Sequence, residues 1–242
     1  MRPTAERVSW ISLVALHCRW TLAATWRNGE QLLLLLGIPI AAFVVMTRTE
    51  LLSTNTPAIV VTTVIVVLAA GFTSPAISVA FERRYGSFAY LGTTPLPRSA
   101  IIAGTVAAIA VSTIGALSAL IIVASLVGGH EGTNSITFAS MAWLMFSAVL
   151  GLFAVVPWAF LLGGTVRSET VLALANGVFI VAILFGGVLV PAESLPYRSV
   201  VAWLPTGAMV DLAGTGSVAS IGVLVAWCLL GSALAIRLFR WR

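Results

Sequence analysis

The sequence predicts an all-α membrane protein with six transmembrane helices. An N-terminal interfacial helix precedes them, short re-entrant helices lie on the outer side between spans five and six, and both termini are cytoplasmic. Three observations lead there. Of the 242 residues, 60% are hydrophobic and only 9% are charged, whereas a soluble domain carries about a quarter charged residues. Six apolar runs approach the ~20 residues that a helix needs to cross the hydrocarbon core. The basic residues fall almost entirely on one side of those runs.

The chain reads as one transmembrane domain, 1–242. Residues 1–30 are too polar to span, because Arg7, Arg19, Arg27 and Glu30 interrupt them. Their tryptophans, Trp10, Trp20 and Trp26, suit a helix in the headgroup zone. A helix packed on another chain or loop is the alternative. The stretch MRPTAERVSWISLVALHC imitates a leader, but bulky His17 precedes Cys18 and charged Arg19 follows, so it reads as retained. The spans follow as Gln31–Met46, Pro57–Phe81, Ser99–Val127, Ile136–Val166, Thr170–Val190 and Ser217–Ile236.

Arginine placement sets the orientation. Arg2, Arg7, Arg19, Arg27, Arg83, Arg84, Arg98, Arg167, Arg237, Arg240 and Arg242 share one side, and only Arg48 and Arg198 fall on the other. That side is cytoplasmic by the positive-inside rule. Segment 191–216 is then external. It is too apolar for a solvent loop, and Pro191, Pro196 and Pro205 break it into short helices. Such backbone survives at membrane depth only where protein or a water-filled cavity covers it.

Several functions are excluded by what the spans lack. The five runs from Pro57 onward contain no Asp, Glu, Lys, Arg or His, the groups that mark proton relays and ion sites. His17 and His130 are the only histidines and lie on opposite sides, so no H-E-x-x-H zinc site and no Ser–His pair forms. Cys18 and Cys228 have no metal or disulfide spacing. Net charge is +5, with all 13 basic residues arginine. These read as lipid anchors rather than a nucleic-acid surface. Without lysine there is no P-loop. The spans therefore draw energy, if they move anything, from a partner.

The largest cytoplasmic handle is 82–98, ERRYGSFAYLGTTPLPR. Glu82, Arg83 and Arg84 leave the bilayer, and Gly86 permits a sharp turn. Ser87–Leu91 can form a short helix with Phe88 and Leu91 on one face. Thr94-Pro95-Leu96-Pro97 is a stiff return, and Arg98 precedes Ser99, the expected N-cap of the next span.

This loop resembles that of ABC-2 type permeases, where it reads E-R-E-x-G-T-L-E-L-L-x-x-T-P-[LV]-x-R. Here Glu82, Arg83, Gly86, Ser87, Leu91, Thr94, Pro95, Leu96 and Arg98 stand in those places, followed by Gly104 and Thr105. The departures are Arg84 for an acidic residue, Ser87 for Thr and Thr105 for Lys. A second family pattern, S-G-x-x-x-P-x-x-x-L-P followed by L-P-x-T, is matched by Gly187, Pro191, Leu195, Pro196, Leu204, Pro205 and Thr206.

The resemblance covers essentially the whole chain and implies a permease with no nucleotide site of its own. It would pair with a second permease, identical or homologous, on two copies of a separate ATPase chain that holds ATP and Mg. Segment 82–98 would be the coupling element, with Glu82, Arg83, Arg84, Tyr85, Gly86, Phe88, Leu91, Thr94, Pro95 and Arg98 meeting the ATPase. Pro191, Glu193, Leu195, Pro196, Trp203 and Pro205 would form an outer gate. No cofactor or metal is expected on this chain. Uncharged spans favour a hydrophobic drug, lipid or glycolipid moved out of a bacterial cytoplasmic membrane. Polysaccharide export, a non-transporting scaffold and a lipid-modifying enzyme are the competing readings.

Overall fold

A computed structural model describes residues 9–49, 57–86, 97–127, 138–190, 192 and 195–238. Among them all regular structure is helical. Helix α1 covers Trp10–Trp26. Short α2 (Gly29–Leu32) continues through a π turn, Leu33–Gly37, into α3 (Ile38–Thr49). Helix α4 (Ala58–Leu68) likewise passes through a π turn, Ala69–Thr73, into α5 (Ser74–Arg84). Then come α6 (Arg98–Val127), α7 (Phe138–Thr165), α8 (Ser168–Phe185), α9 (Arg198–Val201), α10 (Pro205–Thr215) and α11 (Val218–Leu238).

Five of these helices are long and apolar enough to cross a membrane: Ala58–Arg84, Ser99–Val127, Ser140–Thr165, Ser168–Phe185 and Val218–Leu238. They match the last five expected spans. The fifth is shorter than expected and stops at Phe185 rather than Val190. Gly186 and Gly187 end it, and Gly187 turns the chain at φ 75°, a conformation open to glycine at little cost. The first expected span, Gln31–Met46, corresponds to a shorter apolar helix, Leu35–Thr49.

Helix α7 is the hub. It packs on α5, α10 and α11, and also on α4 and its π turn. Two strands of chain therefore form the centre, α4–α5 and α7, with over half of each span buried, against 17% for α8 and α11. The contact is close because Gly163 on α7 lies against the α5 backbone: a Cβ there would meet the Ala76 carbonyl oxygen at 2.5 Å. Val61, Val64 and Val67 of α4, Leu152 and Ala159 of α7, and Met209 and Leu212 of α10 complete the core.

Helix α1 lies lengthwise and parallel on the first half of α6. Trp10 Nε1 donates to Ser99 Oγ at 3.1 Å, His17 Nε2 lies 3.1 Å from Thr105 Oγ1, and Trp26 flanks Gly115. The register offset stays at 88 to 89 residues through all three pairs (99 − 10, 105 − 17, 115 − 26). The tilt of the N-terminal helix therefore follows α6, a helix of spanning length. Helix α1 thus does not lie flat in the headgroup zone, the orientation expected of an interfacial helix: its docking on α6 sets its direction. Ser99, the expected N-cap, sits inside α6, which begins at Arg98. Its hydroxyl serves the α1 indole, and the Pro97 carbonyl accepts the amides of Ala100 and Ile101.

Gly163→Ala pushes α5 and α7 apart, because the obstructing atom is backbone and cannot rotate away. The expected loss is about 1–3 kcal/mol. Gly177→Ala, with nothing within 4 Å of the new methyl, costs nothing. Thermal unfolding of the two purified variants in detergent distinguishes them.

Candidate functional site

The end of α5 carries the first half of the expected coupling segment. Arg83 Nη1 donates to the Gly164 carbonyl and Nη2 to the Val166 carbonyl, at the end of α7. A guanidinium is well placed there. The last carbonyls of a helix lack intrahelical donors, and the helix dipole favours positive charge at that end. Arg84 Nη1 pairs with Glu169 Oε1 and lies 3.4 Å from Ser168 Oγ. Both arginines therefore engage the tight turn between α7 and α8. Glu82 accepts a 3.1 Å hydrogen bond from Ser78 Oγ, one turn back along its own helix.

Tyr85 stacks on Phe81 with ring centroids 6.1 Å apart and remains largely exposed. Gly86 takes φ 73° with open space around its Cα. The chain thus leaves α5 through a glycine turn whose base is held to α7. Phe88, Leu91, Thr94 and Pro95 lie outside the described residues, as does the side chain of Arg98. The sequence brought Arg83 and Arg84 forward as contacts for a partner. The structure gives each a partner within the chain. The signal was present in Glu169, the acidic residue of the tight turn that the arginine count puts on the same side as Arg83 and Arg84.

At the opposite end, Pro205 opens α10 at its first turn, where a missing amide proton costs nothing. The turn before it is anchored against α11, although the Trp203 side chain itself is exposed. Trp227 Nε1 donates to the Trp203 carbonyl at 2.7 Å, and Trp227 stands nine residues past the start of α11. The ring of Trp158 on α7 lies 5.0 Å from that of Trp227, tilted by 56°, and its own Nε1 donates to the Trp227 carbonyl at 3.1 Å. Ser147 Oγ of α7 donates to the buried Met209 carbonyl at 2.7 Å. Helix α10 then meets α11 through Asp211, whose carboxylate accepts from Ser220 Oγ at 2.6 Å and Thr215 Oγ1 at 3.1 Å.

Of the expected gate residues, Trp203 and Pro205 belong to this anchored turn. Leu195 makes only backbone bonds, to Ala192 and Arg198, and Pro196 is exposed. Pro191 and Glu193 lie outside the described residues. Sequence reasoning missed Trp158 and Trp227, since nothing in an apolar run marks which tryptophan has a backbone partner.

His17 is half-buried between α1 and α6, and this burial holds its pKa below the ordinary 6.5. The neutral ring is the docked form. No cluster of three or more metal-ligating side chains occurs among the described residues.

The family model for ABC-2 type transporters matches residues 13–213. It takes in α1 through most of α10, and with them both ends of the bundle described above. No curated protein matches the chain.

Two expectations follow. Docking of α1 is constant above about pH 6.5 and weakens as pH falls below it, because protonation is favoured only when the ring regains water. Hydrogen–deuterium exchange of residues 10–26, corrected for intrinsic rates, rises on acidification in the wild type and stays flat in His17→Gln. Trp227→Phe leaves the Trp203 carbonyl without its donor at a cost of about 1 kcal/mol. A cysteine placed at Val200 then reacts faster with a thiol reagent, while one at Leu238 is unaffected.

Proposed function

The chain belongs to the ABC-2 type transporter family, and on that premise we propose that it is the membrane-spanning subunit of an ATP-driven exporter. It works with a second permease and two copies of a separate ATPase. A P-loop needs lysine and the sequence has none, so ATP and Mg belong to the ATPase chain. Residues Gly29–Thr49, helical throughout, supply the first of six spans, being about 30 Å long. Helices α9 and α10 form the re-entrant outer pair. Both termini face the cytoplasm, and α1 presents Trp20 and Ile11 to the membrane on the side away from α6.

The observation that carries this reading is the brace at the base of segment 82–98. Arg83 holds the end of α5 to the last carbonyls of α7. Closure of the ATPases on ATP pushes the segment beyond Gly86. The brace passes that push to α5 and α7 together rather than bending one helix end. Helix α7 also holds the outer turn, through Ser147 to Met209 and through Trp158 to Trp227. One helix thus connects the driven end of the bundle to its outer gate. The sign of motion in such a lever is set by the ATPase, and its amplitude by how stiff the brace is.

The spans are uncharged from Pro57 to Phe81 and from Ser99 onward. A path between two copies is therefore apolar and suits a hydrophobic drug, lipid or glycolipid. Charged substrates would leave their ionic groups unpaired in it.

Gly86→Val strains the turn, because a β-branched residue is a poor fit at positive φ, while the open space around it spares the packing. In the purified complex, substrate-stimulated ATP hydrolysis falls several-fold and basal hydrolysis and membrane insertion persist. Arg83→Ala acts in the same direction. A non-transporting scaffold predicts no copurifying ATPase and no change in hydrolysis.

A further inference from the structure

The braced end of α5 also borders an open cleft of about 530 Å³, lined by Arg83, Arg84, Thr165, Arg167, Ser168 and Glu169. Three guanidinium groups face one carboxylate. Arg83 spends its hydrogen bonds on carbonyls at the end of α7 and has no carboxylate partner. Arg167 is exposed beside Glu169; its backbone carbonyl accepts the Val171 amide, and its guanidinium has no hydrogen bond to another described residue. The one compensating pair, Arg84 with Glu169, has side chains 52% and 66% exposed. A pair that open contributes little and is readily exchanged. The cleft therefore has an excess of positive charge and one removable internal anion.

We infer that this cleft seats the phosphate of an anionic phospholipid headgroup, bound by Arg84 and Arg167 in place of Glu169. Depth favours a lipid over a soluble anion. The 27-residue helix ending at Arg84 is about 40 Å long, longer than the ~30 Å hydrocarbon core, so its end stands in the headgroup layer. Helix α8 has only 18 residues, about 27 Å, and starts at the hydrocarbon boundary. Below Glu169 the same face of α8 continues with Leu172, Asn176 and Ile180, all exposed. Asn176 returns its amide N–H to the Leu172 carbonyl, so the strip offers an acyl chain an apolar bed. A phosphate can take bidentate guanidinium bonds, whereas Glu169 meets Arg84 through a single oxygen.

The site requires only that the bundle is in a membrane, and it is independent of the ATPase coupling proposed above. The test uses the full chain, with its ATPase where one copurifies, in nanodiscs of phosphatidylcholine with a minor fraction of phosphatidylglycerol of matched acyl chains. Native mass spectrometry after gentle delipidation counts the retained lipids. Wild type retains phosphatidylglycerol in preference to phosphatidylcholine. Arg167→Gln lowers that preference about 5-fold and Arg84→Gln with Arg167→Gln about 30-fold, from the energy of one or two arginines at an anionic surface. Glu169→Gln raises it, which keeps the test decisive even if the double variant misfolds. Equal retention of the two lipids by wild type, or no rise with Glu169→Gln, overturns the site. Displacement of the lipid by millimolar inorganic phosphate assigns the cleft to a soluble anion and overturns the lipid. Loss of ATPase copurification in Arg167→Gln with lipid retention unchanged assigns it to an acidic side chain of the partner and does the same.

Discussion

The close approach of α5 to α7 is the constraint on which the rest of the molecule depends. In hydrocarbon there is little hydrophobic drive between helices, and association rests on packing and interhelical hydrogen bonds. Gly163 removes the one side chain that would separate the two backbones. With the helices at that distance, Arg83 reaches the Gly164 and Val166 carbonyls, and the α7–α8 turn falls under Arg84. A wider spacing would leave two arginines and a helix end without these partners. The cleft with surplus positive charge is a product of the same packing.

Helix α7 turns that local contact into a connection along the whole bundle. It is central because it touches α4, α5, α10 and α11, and two of its polar side chains bond backbone carbonyls of neighbouring helices. Ser147 meets the Met209 carbonyl, and Trp158 meets the Trp227 carbonyl. Irregular backbone near the membrane interior must be satisfied by protein. The turn around Trp203 meets that requirement through the Trp227 indole. Helices α8 and α11 are far less buried within the chain, and their exposed Leu, Ile and Val side chains leave them suited to lipid or to a second permease.

Much of this was legible in the sequence. Five of the apolar runs became helices of spanning length, with ends near the expected residues. The match to ABC-2 type transporters agrees with the resemblance carried by the Glu82–Arg98 and Gly187–Thr206 patterns. The fifth span was read too long because Val188, Leu189 and Val190 are apolar, while the stop is conformational and lies in Gly186-Gly187. Ser99 looked like a cap because a hydroxyl before an apolar run usually is one. Its actual partner, Trp10, is 89 residues away. The partners of Arg83, Arg84, His17 and Trp227 share this character. Each is fixed by which helices lie side by side, information that local periodicity does not contain.

The central claim is that the base of segment 82–98 and the α7–α8 turn move as one body when the ATPase works. Pulsed electron–electron distance measurement tests it directly, with spin labels at Tyr85 and Thr170 after replacement of Cys18 and Cys228. The account predicts the same narrow distance distribution in the nucleotide-free and ATP-trapped complexes. A distribution that broadens or shifts between the two states would show that the arginine brace opens during the cycle, and would contradict it.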